Sequence, residues 1–168
     1  ASCSGLAGAC KADGGAGLKL AFVLYKYFPY GGLQRDMVRM AQVCQRLGHE
    51  VHVFTLNWKG ARPAGFHIHV LPVTRPTNHA RYQLFCQSLH VEFSKYGIHR
   101  VIGFNKMPRL DFYYAADPCL KEKLMQERSW ITRQLPRYRH FLEYEKAVFK
   151  PSSPTEILMI SQRQQAIY

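Results

Sequence analysis

Two short segments of the chain combine residue types suited to binding an anion or a sugar. The first is Lys26–Gly32, which ends in two adjacent glycines. Glycine lets the backbone approach a ligand closely, and a helix that starts there presents unpaired N–H groups to an anion. The second is Asn105-Lys106-Met107-Pro108, where an asparagine amide suits a sugar hydroxyl and a lysine suits a phosphate. The alternative is that both segments are only turns, since diglycine and asparagine are common in turns.

Asp36 and Asp117 are the acidic residues of the segments that directly follow predicted strands. Asp36 follows the glycines, and its alternatives to a binding role are a pair with Arg35 or a place in the first helical turn, where it favours the helix dipole. Asp117 precedes Pro118, an order typical of a helix start, with Asp as the cap and Pro as the first helical residue. From the residues alone, the cap is favoured over catalysis at Asp117.

The elements that position these residues follow from the apolar pattern. Leu18–Tyr25 is a nearly continuous apolar run, typical of a strand buried on both faces. Further strands are predicted at 50–56, 66–73, 100–104, 110–116 and 157–160, and helices at 33–47, closed by Gly48, and 82–96, closed by Gly97. This alternation predicts an α/β fold with a Rossmann-like, doubly wound, mainly parallel sheet. Ligands of such sheets bind beyond the carboxyl ends of the strands, where the two segments lie.

Composition and charge exclude several classes of protein. The chain has 168 residues, 47% of them hydrophobic, which excludes an intrinsically disordered protein. The net charge of +12 favours polyanionic partners, namely nucleic acid, phosphorylated substrates or an anionic membrane. No apolar run approaches the roughly 20 residues of a transmembrane helix. Residues 1–17 are rich in Gly, Ala and Ser and are predicted to be a flexible leader or scar, with one lobe over 18–168.

The histidines and glycines do not match known cofactor motifs. His49, His52, His67 and His69 alternate along predicted strands without an HExxH helix or cysteine partners, so they are predicted to face solvent and no metal site is expected. The glycine loop lacks the GxGxxG fingerprint, which disfavours a dinucleotide cofactor.

A basic and aromatic stretch runs from Cys119 to Lys150. That composition is typical of an interfacial helix on anionic lipid, and Pro136 is predicted to divide it into two helical pieces. A solvated helix face is the alternative; nucleic acid ranks lower because neither an RNP-type nor a helix-turn-helix pattern is present. The candidate membrane-docking residues are Lys121, Lys123, Arg128, Arg133, Trp130 and Tyr138.

Several motifs together resemble the lipopolysaccharide core glucosyltransferase I family, retaining GT-B glycosyltransferases of family four. The resemblance spans about Leu18 to Tyr168. The motifs are Leu24-Tyr25-Lys26-Tyr27-Phe28-Pro29-Tyr30-Gly31-Gly32-Leu33-Gln34-Arg35-Asp36, Thr77-Asn78-His79, Gly103-Phe104-Asn105-Lys106-Met107-Pro108, Leu110-Asp111, Ala115-Ala116-Asp117 and Arg137-Tyr138-Arg139-His140.

The resemblance implies a function and a set of site residues. The family transfers glucose from UDP-glucose to the inner-core heptose of lipopolysaccharide, without a metal or other cofactor, at the cytoplasmic face of the inner membrane. It implies that Gly31 and Gly32 face the donor diphosphate. It also implies that Asp36, Asn105 and Asp117 line the cleft near the transferred sugar, with Asn105 on the donor and the two aspartates as catalytic candidates.

The resemblance further implies that 18–168 is the N-terminal, acceptor-side lobe of a GT-B fold whose donor lobe is absent, so that this chain alone is expected to be inactive. Arg109 and Pro136 depart from the family pattern, because small residues are expected at both positions. Two other interpretations stay open: a nucleotide-binding Rossmann domain of another activity, and a non-catalytic basic module that binds membranes.

Overall fold

The structure, a computed structural model, describes residues 17–116 and 136–159, which form six strands and three helices. The strands are β1 Lys19–Tyr27, β2 Glu50–Trp58, β3 Phe66–Val70, β4 Arg100–Gly103, β5 Phe112–Ala115 and β6 Glu156–Met159. The helices are α1 Gly32–Arg46, α2 Asn78–Tyr96 and α3 Pro136–Phe149.

All six strands form one parallel sheet in the order β3-β2-β1-β4-β5-β6. This confirms the predicted doubly wound fold, and the sheet is parallel throughout the described residues rather than mainly so. From β1, the chain first adds β2 and β3 on one side of the sheet. It then crosses to the other side of β1 and adds β4, β5 and β6 there. The carboxyl ends of β1 and β4 therefore flank the switch point, where sheets of this kind bind ligands.

Two apolar layers cover the sheet, one on each face. On one face Phe22 packs with Met37 and Cys44 of α1. On the other face Val23 packs with residues of α2 and α3, including Phe85 and Val148. Because consecutive residues of β1 point to opposite faces and both faces are covered, the whole run from Leu20 to Tyr25 is buried. Burial on both faces therefore explains why the sequence of this segment is almost continuously apolar.

The helix ends follow the predicted glycines. Gly48 has a φ of 88° just after α1, and Gly97 has a φ of 65° and closes α2. Such left-handed conformations favour glycine. The start of α2 differs from the prediction, since the helix begins at Asn78 rather than near 82. Its first turn is polar, so apolar periodicity could not reveal it.

Two residues that depart from the resembled family have distinct structural settings. Arg109 has a φ of 64°, the left-handed conformation that glycine adopts without strain. Pro136 begins α3, where its missing N–H needs no partner. The helical piece predicted before Pro136 lies outside the described residues, as does the predicted leader apart from Gly17. Within the described residues, no helix combines the length and apolar character needed to span a bilayer.

Candidate functional site

The two glycines after β1 have different roles. Gly31 is the N-cap of α1, and a Cβ added there would lie 1.8 Å from Oε1 of Gln34. Gly32, the first helical residue, is exposed, and a Cβ there would meet nothing within 4 Å. A side chain at Gly31 would therefore displace the buried Gln34. Gly32 leaves the N–H groups of the helix start open to a ligand.

Gln34 is a part of this site that the sequence analysis missed. The residue is 7% exposed, and its Nε2 donates a 3.0 Å hydrogen bond to the backbone oxygen of Lys26. The bond ties the first turn of α1 back to the end of β1 and fixes the intervening loop. One signal was available in the sequence: Gln34 occupies the same helical stripe as the buried Met37, Ala41 and Cys44.

Asp36 is held by a neighbour on the sheet. Its Oδ2 accepts a 3.0 Å hydrogen bond from the hydroxyl of Tyr114 on β5, and the side chain is half-buried. Neither alternative for Asp36 holds: the first turn of α1 contains no acidic residue, and no ion pair joins Arg35 to Asp36 in the structure as described. Its second oxygen, Oδ1, accepts no hydrogen bond from a described residue.

Asn105 lies at the switch point itself. Its Oδ1 accepts a 2.9 Å hydrogen bond from the backbone N–H of Tyr25, joining the end of β4 to the end of β1. Beside it, the N–H of Phe104 donates to the backbone oxygen of Val23 at 2.9 Å. With Oδ1 occupied, the Nδ2 of Asn105 is the donor left for a ligand, and no described residue accepts from it.

Lys106 does not offer the free charge that the sequence analysis assigned to it. Its Nζ lies 2.5 Å from Oε2 of Glu145 on α3, and the two side chains are 11% and 8% exposed. The same Nζ lies 5.8 Å from the ring centroid of Phe149. The pair fastens α3 to the loop after β4. No local pattern signals it, because the partners are 39 positions apart.

Most of the predicted docking residues, and Asp117, lie outside the described residues: Lys121, Lys123, Arg128, Trp130 and Arg133. Tyr138, in the first turns of α3, is half-buried. Farther along α3, Tyr144 packs against the core, and burial raises its pKa, so the phenol stays neutral. The surface of α3 exposes the basic residues Arg139 and Lys146.

The strand histidines are not all exposed, contrary to the prediction. His49 and His52 are buried, at 6% and 3% exposure. The Nδ1 of His49 accepts a hydrogen bond from the N–H of Leu18 at 3.1 Å. His52 bonds to Glu50 and His69 at the amino end of the sheet, away from the glycine loop. Burial lowers the pKa of His52, and lowers that of His69 to about 4, so both rings are neutral at pH 7.

Comparison with known proteins agrees with this geometry. The chain is 42% identical over 145 residues to the lipopolysaccharide glucosyltransferase WaaG of Escherichia coli K12, a stretch that covers 86% of this chain and 39% of the relative. A crystal structure of WaaG, described as a glycosyltransferase involved in lipopolysaccharide biosynthesis, matches with a TM-score of 0.85 over 88% of this chain and 40% of that one. No family model matches.

These matches confirm the resemblance expected from the sequence, and the solved structure has the same fold at 42% identity. The chain spans about two fifths of the relative's length. Both matched proteins are described as glycosyltransferases, the activity that the resemblance implies.

Proposed function

We propose that this chain, a homologue of the lipopolysaccharide glucosyltransferase WaaG, is part of an enzyme that transfers glucose from UDP-glucose to the inner-core heptose of lipopolysaccharide with retention of configuration. In the complete enzyme it forms the N-terminal, acceptor-side lobe of a GT-B fold. The observation that carries the proposal is the set of polar groups at the carboxyl end of the sheet, on a fold shared with WaaG. Those groups are the open helix start at Gly32 and the side chains of Asp36 and Asn105.

The helix start is suited to a diphosphate. The first N–H groups of α1 have no partners within the helix and carry the positive end of its dipole. Gly32 adds no side chain in front of them. As the bond from glucose to the diphosphate breaks, negative charge develops on the leaving group, and oriented N–H groups stabilise such charge without a metal ion. We therefore expect transfer to be metal-independent, with cations elsewhere in the complete enzyme adding to this effect.

Asn105 and Asp36 are suited to sugar hydroxyls. The Nδ2 of Asn105 donates to a hydroxyl oxygen of the donor sugar, while the bond from Tyr25 to its Oδ1 fixes the amide plane. The Oδ1 of Asp36 accepts from a hydroxyl of the reacting sugars, while the bond from Tyr114 fixes the carboxylate. Because hydrogen bonds already fix both side chains, they lose little conformational entropy when the substrate binds, and this favours the reacting geometry. Asp117 is proposed for the same cleft.

The acceptor is anchored in lipid, so we propose that the enzyme works at the cytoplasmic surface of the inner membrane. The predicted docking residues supply cations and amphipathic rings for that contact: Lys121, Lys123, Arg128, Arg133, Trp130 and Tyr138. A Lys or Arg near an anionic surface contributes on the order of 1 kcal/mol, so a few of them are enough for reversible binding. Nucleic acid is not a proposed partner.

The test is a transfer assay with the complete enzyme and lipopolysaccharide that lacks core glucose. We expect glucose to be transferred from UDP-glucose, at an unchanged rate when a chelator is present, to give an α-linked product by the anomeric coupling in its NMR spectrum. UDP-galactose serves as the matched donor control. Transfer of another sugar in preference to glucose, a β-linked product, or no transfer from a folded enzyme would contradict the proposal.

A further inference from the structure

The pairing of β2 with β3 brings together side chains that are distant in the sequence. His52 on β2 lies opposite His67 on β3, so the two imidazoles project from the same face of the sheet. Glu50, two residues before His52 on β2, shares that face. The three side chains therefore form a group at the amino end of the sheet, on the face that packs against α2.

Distances between the possible ligand atoms are those of a small metal site. Oε1 of Glu50 lies 2.8 Å from Nε2 of His52 and 3.6 Å from Nε2 of His67, and one ligand atom from each residue falls within 4.8 Å of the others. Ligand atoms about 2.0–2.1 Å from a tetrahedral zinc ion are about 3.3 Å apart. The side chain of His67 is exposed, so its ring has room to turn toward that spacing.

We propose that Glu50, His52 and His67 bind Zn²⁺ or a chemically similar divalent transition-metal ion. Two imidazole nitrogens and one carboxylate oxygen favour such borderline ions over Mg²⁺ or Ca²⁺, which prefer oxygen ligands. Water takes the fourth position, because the side chain of His67 is 55% exposed and opens the site to solvent on one side.

His69 is placed to support the metal-bound form. Its Nε2 lies 3.0 Å from Nδ1 of His52, the ring nitrogen that faces away from Glu50. Metal-binding histidines commonly use the second ring nitrogen in a hydrogen bond that fixes the ring and its tautomer. Without metal, Nε2–H of His52 donates to Glu50, and Nδ1 of His52 accepts from His69. With metal on Nε2, the proton of His52 lies on Nδ1 and is donated to His69.

The surroundings hold His52 firmly in place. The side chain of His52 is 4% exposed, and its ring centroid lies 5.5 Å from that of Tyr96 at the end of α2. The positive charge of Lys19 disfavours a metal ion at this site, because its Nζ lies 3.6 Å from Oε2 of Glu50. That lysine is 40% exposed and bonds to the other carboxylate oxygen, so it can move into solvent while Oε1 binds the metal.

A bound metal would join the edge strand to the rest of the sheet. In the described sheet β3 is a terminal strand, paired with β2 on one side. Two of the three ligands are on β2 and the third is on β3, so the metal acts as a clip between them. The site lies at the end of the sheet opposite Gly32 and Asn105. Metal-independent glucose transfer at that other end is compatible with it.

The test measures Zn²⁺ binding by calorimetry on the full chain with accessible thiols alkylated, so that cysteines cannot bind the metal. We expect one Zn²⁺ per chain and a rise in melting temperature on its addition, because a ligand that binds only the folded state stabilises it. His67→Gln removes one ligand from an exposed position and should weaken binding at least tenfold. His90→Gln, an exposed histidine on α2, is the matched control and should bind as the parent does.

Two spectroscopic readouts separate this site from adventitious binding. Co²⁺ in place of Zn²⁺ should give visible bands of nitrogen and oxygen coordination. Long-range ¹H–¹⁵N correlation spectra should show the His52 proton moving from Nε2 to Nδ1 on metal binding. No binding by the parent, equal affinity in His67→Gln, or an unchanged His52 tautomer at saturation would overturn the proposal.

Discussion

The two ends of the sheet place polar residues together by different means. At the carboxyl end, Gly31, Gly32 and Asp36 lie within six consecutive positions after β1. At the amino end, His52 and His67 are fifteen positions apart and meet only because β2 and β3 pair in one particular register. Residues that directly follow strands can be recognised in a sequence, whereas residues brought together by register cannot.

The two ends also differ in how their polar atoms are used. At the carboxyl end, Asn105 and Asp36 each use one side-chain oxygen in a hydrogen bond within the protein. The other polar atom of each side chain, Nδ2 of Asn105 and Oδ1 of Asp36, is left for a ligand. At the amino end, His52 bonds to both Glu50 and His69. The first arrangement suits a substrate that binds and leaves, and the second suits a resident ion or a purely structural group.

The largest effect is expected for membrane binding, which we propose for the basic and aromatic stretch from Cys119 to Lys150. The basic stretch follows β5, whose carboxyl end is Ala115. Replacing Lys121, Lys123, Arg128 and Arg133 together by Ser should remove most binding to anionic vesicles, at about 1 kcal/mol per charge. Binding by the parent should fall as salt rises.

The matched control replaces four basic residues near the amino end of the sheet, Lys19, Arg46, Lys95 and Arg100, by Ser. This control variant loses the same amount of positive charge and should keep most of its binding to anionic vesicles. Co-sedimentation with anionic and with neutral vesicles measures both variants. Equal loss in the two variants would show that net charge, rather than this stretch, carries the binding.

A second prediction concerns the ion pair behind the carboxyl end. Glu145→Ala removes the carboxylate that bonds to the ammonium group of Lys106, and the loss of a hydrogen bond to a charged group should lower the free energy of unfolding by about 2 kcal/mol. Glu143→Ala, on the exposed side of the same helix, should change it by less than about 0.5 kcal/mol. Urea unfolding of both variants gives the comparison. Similar values for the two would mean that the pair does not hold α3 in place.

The third prediction separates the two glycines. Gly31→Ala places a Cβ against Gln34 and should lower the free energy of unfolding by about 2 kcal/mol. Gly32→Val meets open space, so the fold should keep its stability while UDP-glucose binding by the complete enzyme weakens. Thermal unfolding and calorimetry test the two halves. Unaltered donor affinity in a folded Gly32→Val enzyme would remove this loop from the site.

The sequence predicted the fold well because its main strands are buried on both faces and its helices end at glycines. It also identified Gly32 and Asn105 as neighbours of strand ends. It could not predict the partner of Lys106 or that of Asp36, because both partners come from other elements of the fold. It misplaced His52 for the same reason: alternation along β2 shows that two faces exist, but not that α2 covers the one that bears His52.

The most direct test of this account compares one carboxylate from each end of the sheet in the complete enzyme. Asp36→Ala removes the carboxylate held by Tyr114, and Glu156→Ala removes an exposed carboxylate at the amino end of β6. The account predicts that kcat/KM for glucose transfer falls at least tenfold in Asp36→Ala, about 1.4 kcal/mol, with little change in melting temperature, while Glu156→Ala keeps the parent value. Equal activity of the two variants, or a loss in Asp36→Ala matched by a loss of stability, would contradict it.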